Sequence, residues 1–268
     1  MDLSVPNETM LTGDIKIIGI LKTQGGGHGK IQKSIFGDTS IMCIAKPYIP
    51  REDNFYKQLL PTPLSLHTCM YMGIHISQGQ RWLLLEDQTQ NMTSPCVLDI
   101  KLGTRSFEIN ASSEKIKNQL EHIQNTTTKT HAIRIIDARI RKNKKLLYVC
   151  DRVKGHGLNI NEFEDVILKF LPGKRKKEFV HNIFKIRKAL LETLEIFPNM
   201  RLYSASILTV YDGDKDEPMK VTIIDFAHAY IDIEAEGGDA SDPFFDDNAS
   251  NGLQSLINML IYHDNKQI

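Results

Sequence analysis

Apolar residues along the chain recur at two spacings, every second residue or every third to fourth, and the switches between them mark out short strands and helices. After a polar, breaker-rich lead-in over residues 1–13, the run 15–21 (IKIIGIL) and the turn 24–30 (QGGGHGK) form a strand and a glycine-rich reversal. A strand over 40–46 ends in Lys46, and a helix over 51–60 carries Glu52 in its first turn and stops at Pro61 and Pro63. Residues 64–77 read as extended and broken by Gly73, while 81–87 (RWLLLED) read as a buried strand ending in two acids. Residues 95–103 (PCVLDIKLG) form a further strand. Beyond a serine cap at Ser112-Ser113, Ile116, Leu120 and Ile123 stand at i, i+4 and i+7, one apolar stripe of a short helix. A polar piece over 125–130 leads into a hairpin of 131–140 and 144–152 about the charged turn 141–145. Two amphipathic helices follow, 161–171 and 174–197, the second with Phe179, Ile183, Ile186, Leu190 and Leu194 on one side. A second hairpin pairs 202–211 with 219–226, and an acidic loop over 232–247 precedes a last helix over 252–263.

Charge and cysteine usage change that picture only locally. With 268 residues, 41% of them hydrophobic and 25% charged, the chain can bury a good core and suits one large domain or two lobes. A formal net charge of zero argues against a bulk electrostatic partner such as duplex DNA, and no nucleic-acid partner is expected. Two patches nevertheless oppose each other: Lys174-Arg175-Lys176-Lys177, followed by Lys185, Arg187 and Lys188, and the stretch 232–247, which holds seven acids and no Lys or Arg. The basic run reads first as a solvated face; anion binding and a nuclear import signal are the alternatives. Cys43, Cys69, Cys96 and Cys150 form no C-x-x-C pair and read as reduced core residues of an intracellular protein. Neither a basic-then-apolar leader nor an apolar run of spanning length occurs, so the expected location is cytoplasm or nucleus, without a transmembrane segment.

The chemistry concentrates in residues 95–103. Asp99 and Lys101 stand two apart in an apolar run, so a strand would project both from one face. Burying an unpaired charge costs several kcal/mol, so the two must face each other, a ligand, or water in a cleft. Such a cleft suits phosphoryl transfer from a nucleotide, with the Asp orienting or deprotonating the acceptor and the Lys stabilising the transferring charge. A salt bridge at the end of a core strand fits the spacing equally well. The turn 24–30 lets backbone N–H groups approach phosphates, yet it lacks both the G-K-S/T ending of a P-loop and a following helix, and alone reads as a flexible hairpin.

Pro95, Asp99, Lys101 and Gly103 stand in a P-x-x-x-D-x-K-x-G pattern. Downstream come Ser206-Ile207-Leu208, similar to an S-L-L segment, and Ile224-Asp225-Phe226-Ala227-His228, similar to I-D-F-A-H. In that order the three resemble the inositol polyphosphate kinases, the group of inositol trisphosphate 3-kinases, multikinases and hexakisphosphate kinases. The resemblance runs over nearly the whole chain. It implies an α+β, two-lobed kinase-like fold: a small antiparallel lobe over 1–88 with the glycine-rich turn as a phosphate flap, and a larger lobe over 89–268 with a substrate segment at about 104–130. Together they would make one catalytic domain, with ATP in the cleft.

Site roles follow from the same resemblance. Lys46 would hold nucleotide phosphates with Glu52 fixing it, and backbone groups of Glu86, Asp87 and Gln88 would meet the adenine, with Leu208 against the ring. Asp225 would bind Mg²⁺ and, with Asp99, complete the nucleotide site; Asp99 and Lys101 would be catalytic. Lys101, Lys115, His122, His228 and Arg139 would hold the phosphates of a soluble inositol polyphosphate, with Lys117 adjacent. The protein-kinase H-R-D and D-F-G triplets are absent. The short substrate segment favours the multikinase or hexakisphosphate kinase branch over the 3-kinases, with hexakisphosphate the leading substrate and the multikinase reaction the alternative. A non-catalytic binding or interaction protein is the rival of another class, and the presence of Asp99, Lys101 and Asp225 counts against it.

Overall fold

The computed structural model describes residues 15–20, 32–36, 42–77 and 79–265. The lead-in 1–13 and the glycine-rich turn 24–30, with its flap reading, lie outside the described residues. The chain begins with β1 (Ile15–Ile20), β2 (Gln32–Phe36) and β3 (Met42–Pro47), then α1 (Pro50–Leu59), which starts on its proline as the fixed φ of that residue favours. A 3₁₀ turn at Pro63–His67 replaces the first part of the expected extended stretch, because Pro63 sets a helical φ at the turn's first position. β4 (Tyr71–Ser77) and β5 (Gln80–Glu86) complete a five-stranded antiparallel sheet of order β1-β2-β3-β5-β4, with its register slipping at Gly73.

A second antiparallel sheet starts with β6 (Pro95–Leu102). Next come α2 (Ser113–Ile123), with the Ser112 hydroxyl accepting from the Lys115 amide, and α3 (Thr127–His131). α3 is a correction: residues 125–130 carry no apolar stripe and read as loop, yet Thr127 and Thr128 are buried and the turn closes on Ala132 in the left-handed region. β7 (Ile133–Lys142) and β8 (Lys145–Cys150) form the expected charged hairpin, followed by α4 (Arg152–Gly157), α5 (Ile160–Phe170) and α6 (Arg175–Ile196). α5 opens with a capping box between Asn159 and Glu162.

The second hairpin is also corrected. Residues 202–211 are two strands, β9 (Arg201–Tyr203) and β10 (Ser206–Asp212), because Ser204 turns the chain at φ +65°. β10 pairs with β11 (Lys220–Ile224), whereas β9 pairs with β12 (His228–Tyr230). The main second sheet runs β11-β10-β6-β7-β8, with β6 in its centre. α7 (Ala249–Asn265) closes the described chain. The acidic loop contains two 3₁₀ turns, Glu234–Glu236 and Pro243–Phe245, and several of its carboxylates have partners: Asp247 accepts from the Leu202 and Ala249 amides and Asp232 from Asn199.

One large core joins α1, the Pro63–His67 turn, the second sheet and α5 to α7; Phe179, Ile183, Ile186 and Leu190 are buried as their spacing predicts. The basic run is split: Lys174 pairs with Asp216 at 2.6 Å, but Arg175 is buried, 3.9 Å above the Tyr211 ring, and donates to the Lys215 and Glu217 carbonyls. All four cysteines are buried free thiols. Among the described residues no helix is long and apolar enough to cross a membrane.

Candidate active site

β6 alternates strictly along its length. Cys96, Leu98, Ile100 and Leu102 point into the core and are fully buried, so Pro95, Val97, Asp99 and Lys101 share the opposite face, which lines a cleft of about 1270 Å³. Single-ligand pockets run to roughly 1,000 Å³, so this one has room for two ligands side by side. Gly103 ends the strand at φ +84°, and any Cβ there would run into the Asp247 carbonyl. That close approach is the physical reason for the glycine of the motif.

Asp99 lies between Leu208 on β10 and Asp137 on β7. Burial and the neighbouring Asp225 charge push its carboxyl up to about 7, against a hydrogen bond from Ser206, and its Oδ1 has no partner. Lys101 stands between Ser206 and Arg134; burial and the Arg134 charge bring its ammonium down to about 8. Both groups therefore titrate near neutral pH, as acid–base chemistry requires.

Across the cleft, Lys46 leaves β3 and contacts Glu52 Oε1 at 2.8 Å and Asp225 Oδ1 at 2.9 Å. Burial alone would neutralise this lysine, but Asp225 and Glu52 outweigh it and its pKa is raised. Asp225 follows the last residue of β11 with φ +67°, a conformation that costs about 1–3 kcal/mol outside glycine and that clusters at ligand sites. Its side chain remains 38% exposed, facing the cleft.

At one end of the cleft, Ile44, Leu85, Val97, Leu208, Val210 and Ile224 make an apolar wall beside residues 86–88. Of those three amides, Glu86 donates to the Met70 carbonyl and Asp87 to Met42, while the Asp87 carbonyl accepts from Gln90. The expected base-binding role of these backbone groups thus narrows toward Gln88. The Glu86 side chain meets Lys220 at 3.0 Å and the Gln88 amide at 2.9 Å.

The other end is basic. Lys115 and His122 of α2 line it with Lys101, as does His228, whose Nδ1 lies 2.9 Å from Glu108 Oε1. Ile116 and Ile123 turn inward, but Leu120 is 36% exposed, so the apolar stripe of α2 is only partly covered. Arg139 also lines the cleft, where it pairs with Asp137 at 2.8 Å opposite Val97, beside the apolar wall. The arginine next to Lys101 is Arg134, five residues earlier. Sequence reasoning missed Arg134 and Arg152, and the signal was faint, since each sits in or after an apolar strand whose register alone decides where it points.

The family model for inositol polyphosphate kinase matches residues 82–261, more than half of the chain. The chain belongs to the inositol polyphosphate kinase family. Relatives within the family include inositol hexakisphosphate kinase 1 of Saccharomyces cerevisiae, 35% identical over 170 residues, which are 58% of this chain and 16% of that protein. Inositol hexakisphosphate kinase 3 of Homo sapiens is 31% identical over 142 residues, 52% of this chain and 35% of that protein. The match thus spans well under two thirds of either relative's length. Among solved structures, inositol phosphate multikinase from S. cerevisiae in complex with ADP and Mn²⁺ shares the fold, with a TM-score of 0.67 at 23% identity, over 82% of this chain and 98% of that one. A second multikinase structure aligns with a TM-score of 0.59 at 25% identity, over 79% and 99% of the two chains.

A divalent cation, which the family implies, fits this site in a limited way. Among the described residues no group of three or more His, Cys, Asp or Glu side chains would cage a metal unaided. Asp225 offers a partly exposed carboxylate beside the orphaned Oδ1 of Asp99, and carboxylate oxygens suit a hard ion that draws its remaining ligands from phosphates and water.

Proposed function

We propose that the chain is an ATP-dependent kinase that phosphorylates soluble inositol polyphosphates, and that inositol hexakisphosphate is its principal substrate, giving a diphosphoinositol pentakisphosphate. The observation that carries this reading is the exposed face of β6. It sets Asp99 and Lys101 in the floor of one cleft, between the Lys46–Asp225 contact and apolar wall on one side and a cluster of cations on the other. The names of the relatives support the hexakisphosphate, and those of the structural neighbours support a multikinase reaction on tris- and tetrakisphosphate hydroxyls as the second reading. Residues 1–88 and 89–268 would act as the two lobes, with 104–130 as the substrate segment.

In this mechanism the adenine lies against Leu208 and the apolar wall near Gln88, and Lys46, held by Glu52, binds the phosphates. Asp225 would hold Mg²⁺, which would neutralise part of the charge of the nucleotide phosphates. Lys101, Lys115, His122 and His228 orient the acceptor. An acceptor oxygen bonds to the γ-phosphorus as the bond to the β,γ-bridging oxygen breaks, and ADP leaves with the electron pair. Asp99 takes the proton when the acceptor is a hydroxyl and orients the oxygen when it is a phosphate. Lys101 stabilises charge on the phosphoryl in flight.

The test is incubation with labelled Mg-ATP and, separately, inositol hexakisphosphate and inositol 1,4,5-trisphosphate, with anion-exchange separation beside Asp225→Ala. A more anionic product from hexakisphosphate, absent in the variant, supports the principal reading. Product from trisphosphate alone moves the assignment to the multikinase reaction, and no product from either removes both.

A further inference from the structure

α4 is a six-residue helix that nothing in the motifs singles out, and it reaches the cleft through one glycine. Gly155 lies flat on β7: a Cβ there would run into the Ile135 carbonyl oxygen and its Cβ neighbour. That approach brings Arg152 and His156, one helical turn apart and so on one side of α4, alongside Arg134 of β7 and His122 of α2. The His122 and His156 rings stack with centroids 4.0 Å apart and planes 8° from parallel. Arg134 Nη1 is 3.3 Å from His156 Nδ1. Arg134 itself is only 6% exposed, and its Nε has no partner.

Three elements thus deliver four basic side chains to one place beside Lys101, and Arg134 and Arg152 make no ion pair with a carboxylate among the described residues. Holding like charges together without a counter-ion is unfavourable in the empty protein and becomes favourable when a polyanion enters. The histidines respond as expected: burial lowers both, and the Arg134 and Arg152 charges lower them further, with His122 adding to the effect on His156. The buried, unpartnered Nε of Arg134 adds a donor without an acceptor.

We propose that Arg152 and His156, with Arg134 and His122, form an outer phosphate subsite that holds a phosphate of the inositol ring remote from the one receiving the phosphoryl group. The inference rests on the kinase reading above and deepens it. A ring phosphorylated at every carbon presents a phosphate to this subsite in any orientation, whereas a trisphosphate does so only in some. The subsite therefore selects for densely phosphorylated rings.

The experiment is titration calorimetry of the whole chain, without nucleotide, using inositol hexakisphosphate and inositol 1,4,5-trisphosphate as probes. It compares wild type with Arg152→Ala, Arg152→Lys and His156→Gln, with turnover of both compounds followed in parallel. Arg152 is exposed, and unchanged melting temperatures verify that its variants fold. Arg152→Ala is expected to weaken hexakisphosphate binding about tenfold and trisphosphate binding less than threefold, with Arg152→Lys recovering most of the loss. Wild-type binding and turnover of hexakisphosphate, with Arg152→Ala and His156→Gln both within twofold of it, overturns the subsite and leaves the kinase reading standing. A wild type that neither binds nor phosphorylates any inositol phosphate overturns both.

Discussion

Lys46 touches two carboxylates at once, Glu52 at 2.8 Å and Asp225 at 2.9 Å, and Glu52 is fully buried. Replacing Lys46 with Met leaves Glu52 charged in the interior without a cation, and urea unfolding is expected to show a loss of about 3 kcal/mol. The matching Glu52→Gln change should cost less, because Lys46 keeps Asp225. A stability loss under 1 kcal/mol for Lys46→Met would show that the contact carries little. Lys101 gives a pH prediction. Its ammonium titrates at about 8 in the empty site, and a bound polyanion raises that value, so binding takes up a proton and affinity falls as pH rises through 8. Affinities measured from pH 7 to 9 should show this fall in wild type, in excess of that in Lys101→Arg, which cannot lose its charge; identical slopes would contradict it. Asp99, Lys101, Lys46 and Glu52 were legible because each breaks an apolar run or opens a helix, and the motifs then supplied a frame. The contact between Lys46 and Asp225, 179 residues apart, comes only from the fold.

Among elements, the strictly alternating β6 and the long amphipathic α6 were legible, since period alone decides which face is buried. α3, the 3₁₀ turn at Pro63–His67 and the break between β9 and β10 were not. A non-glycine residue at φ +65° such as Ser204 leaves no mark on a pattern of apolar positions, and tertiary pairing of β9 with β12 supplies the reason for the break. α4 is likewise invisible to periodicity, yet its seat on β7 is demanding. Gly155→Ala should lift it off Ile135, raising the KM for the inositol substrate severalfold while the KM for ATP, which the proposed mechanism puts at the other end of the cleft, stays within twofold. Equal increases in both would place the effect in global stability instead.

At the level of the whole molecule, the first part of the chain is tied to the second near the site by Arg51. This residue of α1 lies 4.3 Å over the Tyr230 ring, 3.0 Å from Glu236 and 4.0 Å from Glu108, which in turn meets His228. Arg51 and its two glutamates are partly exposed, although the Tyr230 ring is buried, so Arg51→Ala should change stability by no more than about 1 kcal/mol while raising the inositol-substrate KM through His228. A large stability loss with unchanged KM would make the contact purely structural. Net charge of zero hides this organisation, because carboxylates gather around Lys46 and in the acidic loop while Lys115, Arg134 and Arg152 gather beyond Lys101. The central claim is that the face of β6 performs phosphoryl transfer between these two ends, and its most direct test is Asp99→Asn. Single-turnover transfer from Mg-ATP to inositol hexakisphosphate should fall by about 100-fold or more, because the acceptor oxygen loses the carboxylate that orients it, with ATP affinity within threefold of wild type. Transfer that persists within threefold of the wild-type rate would contradict the account.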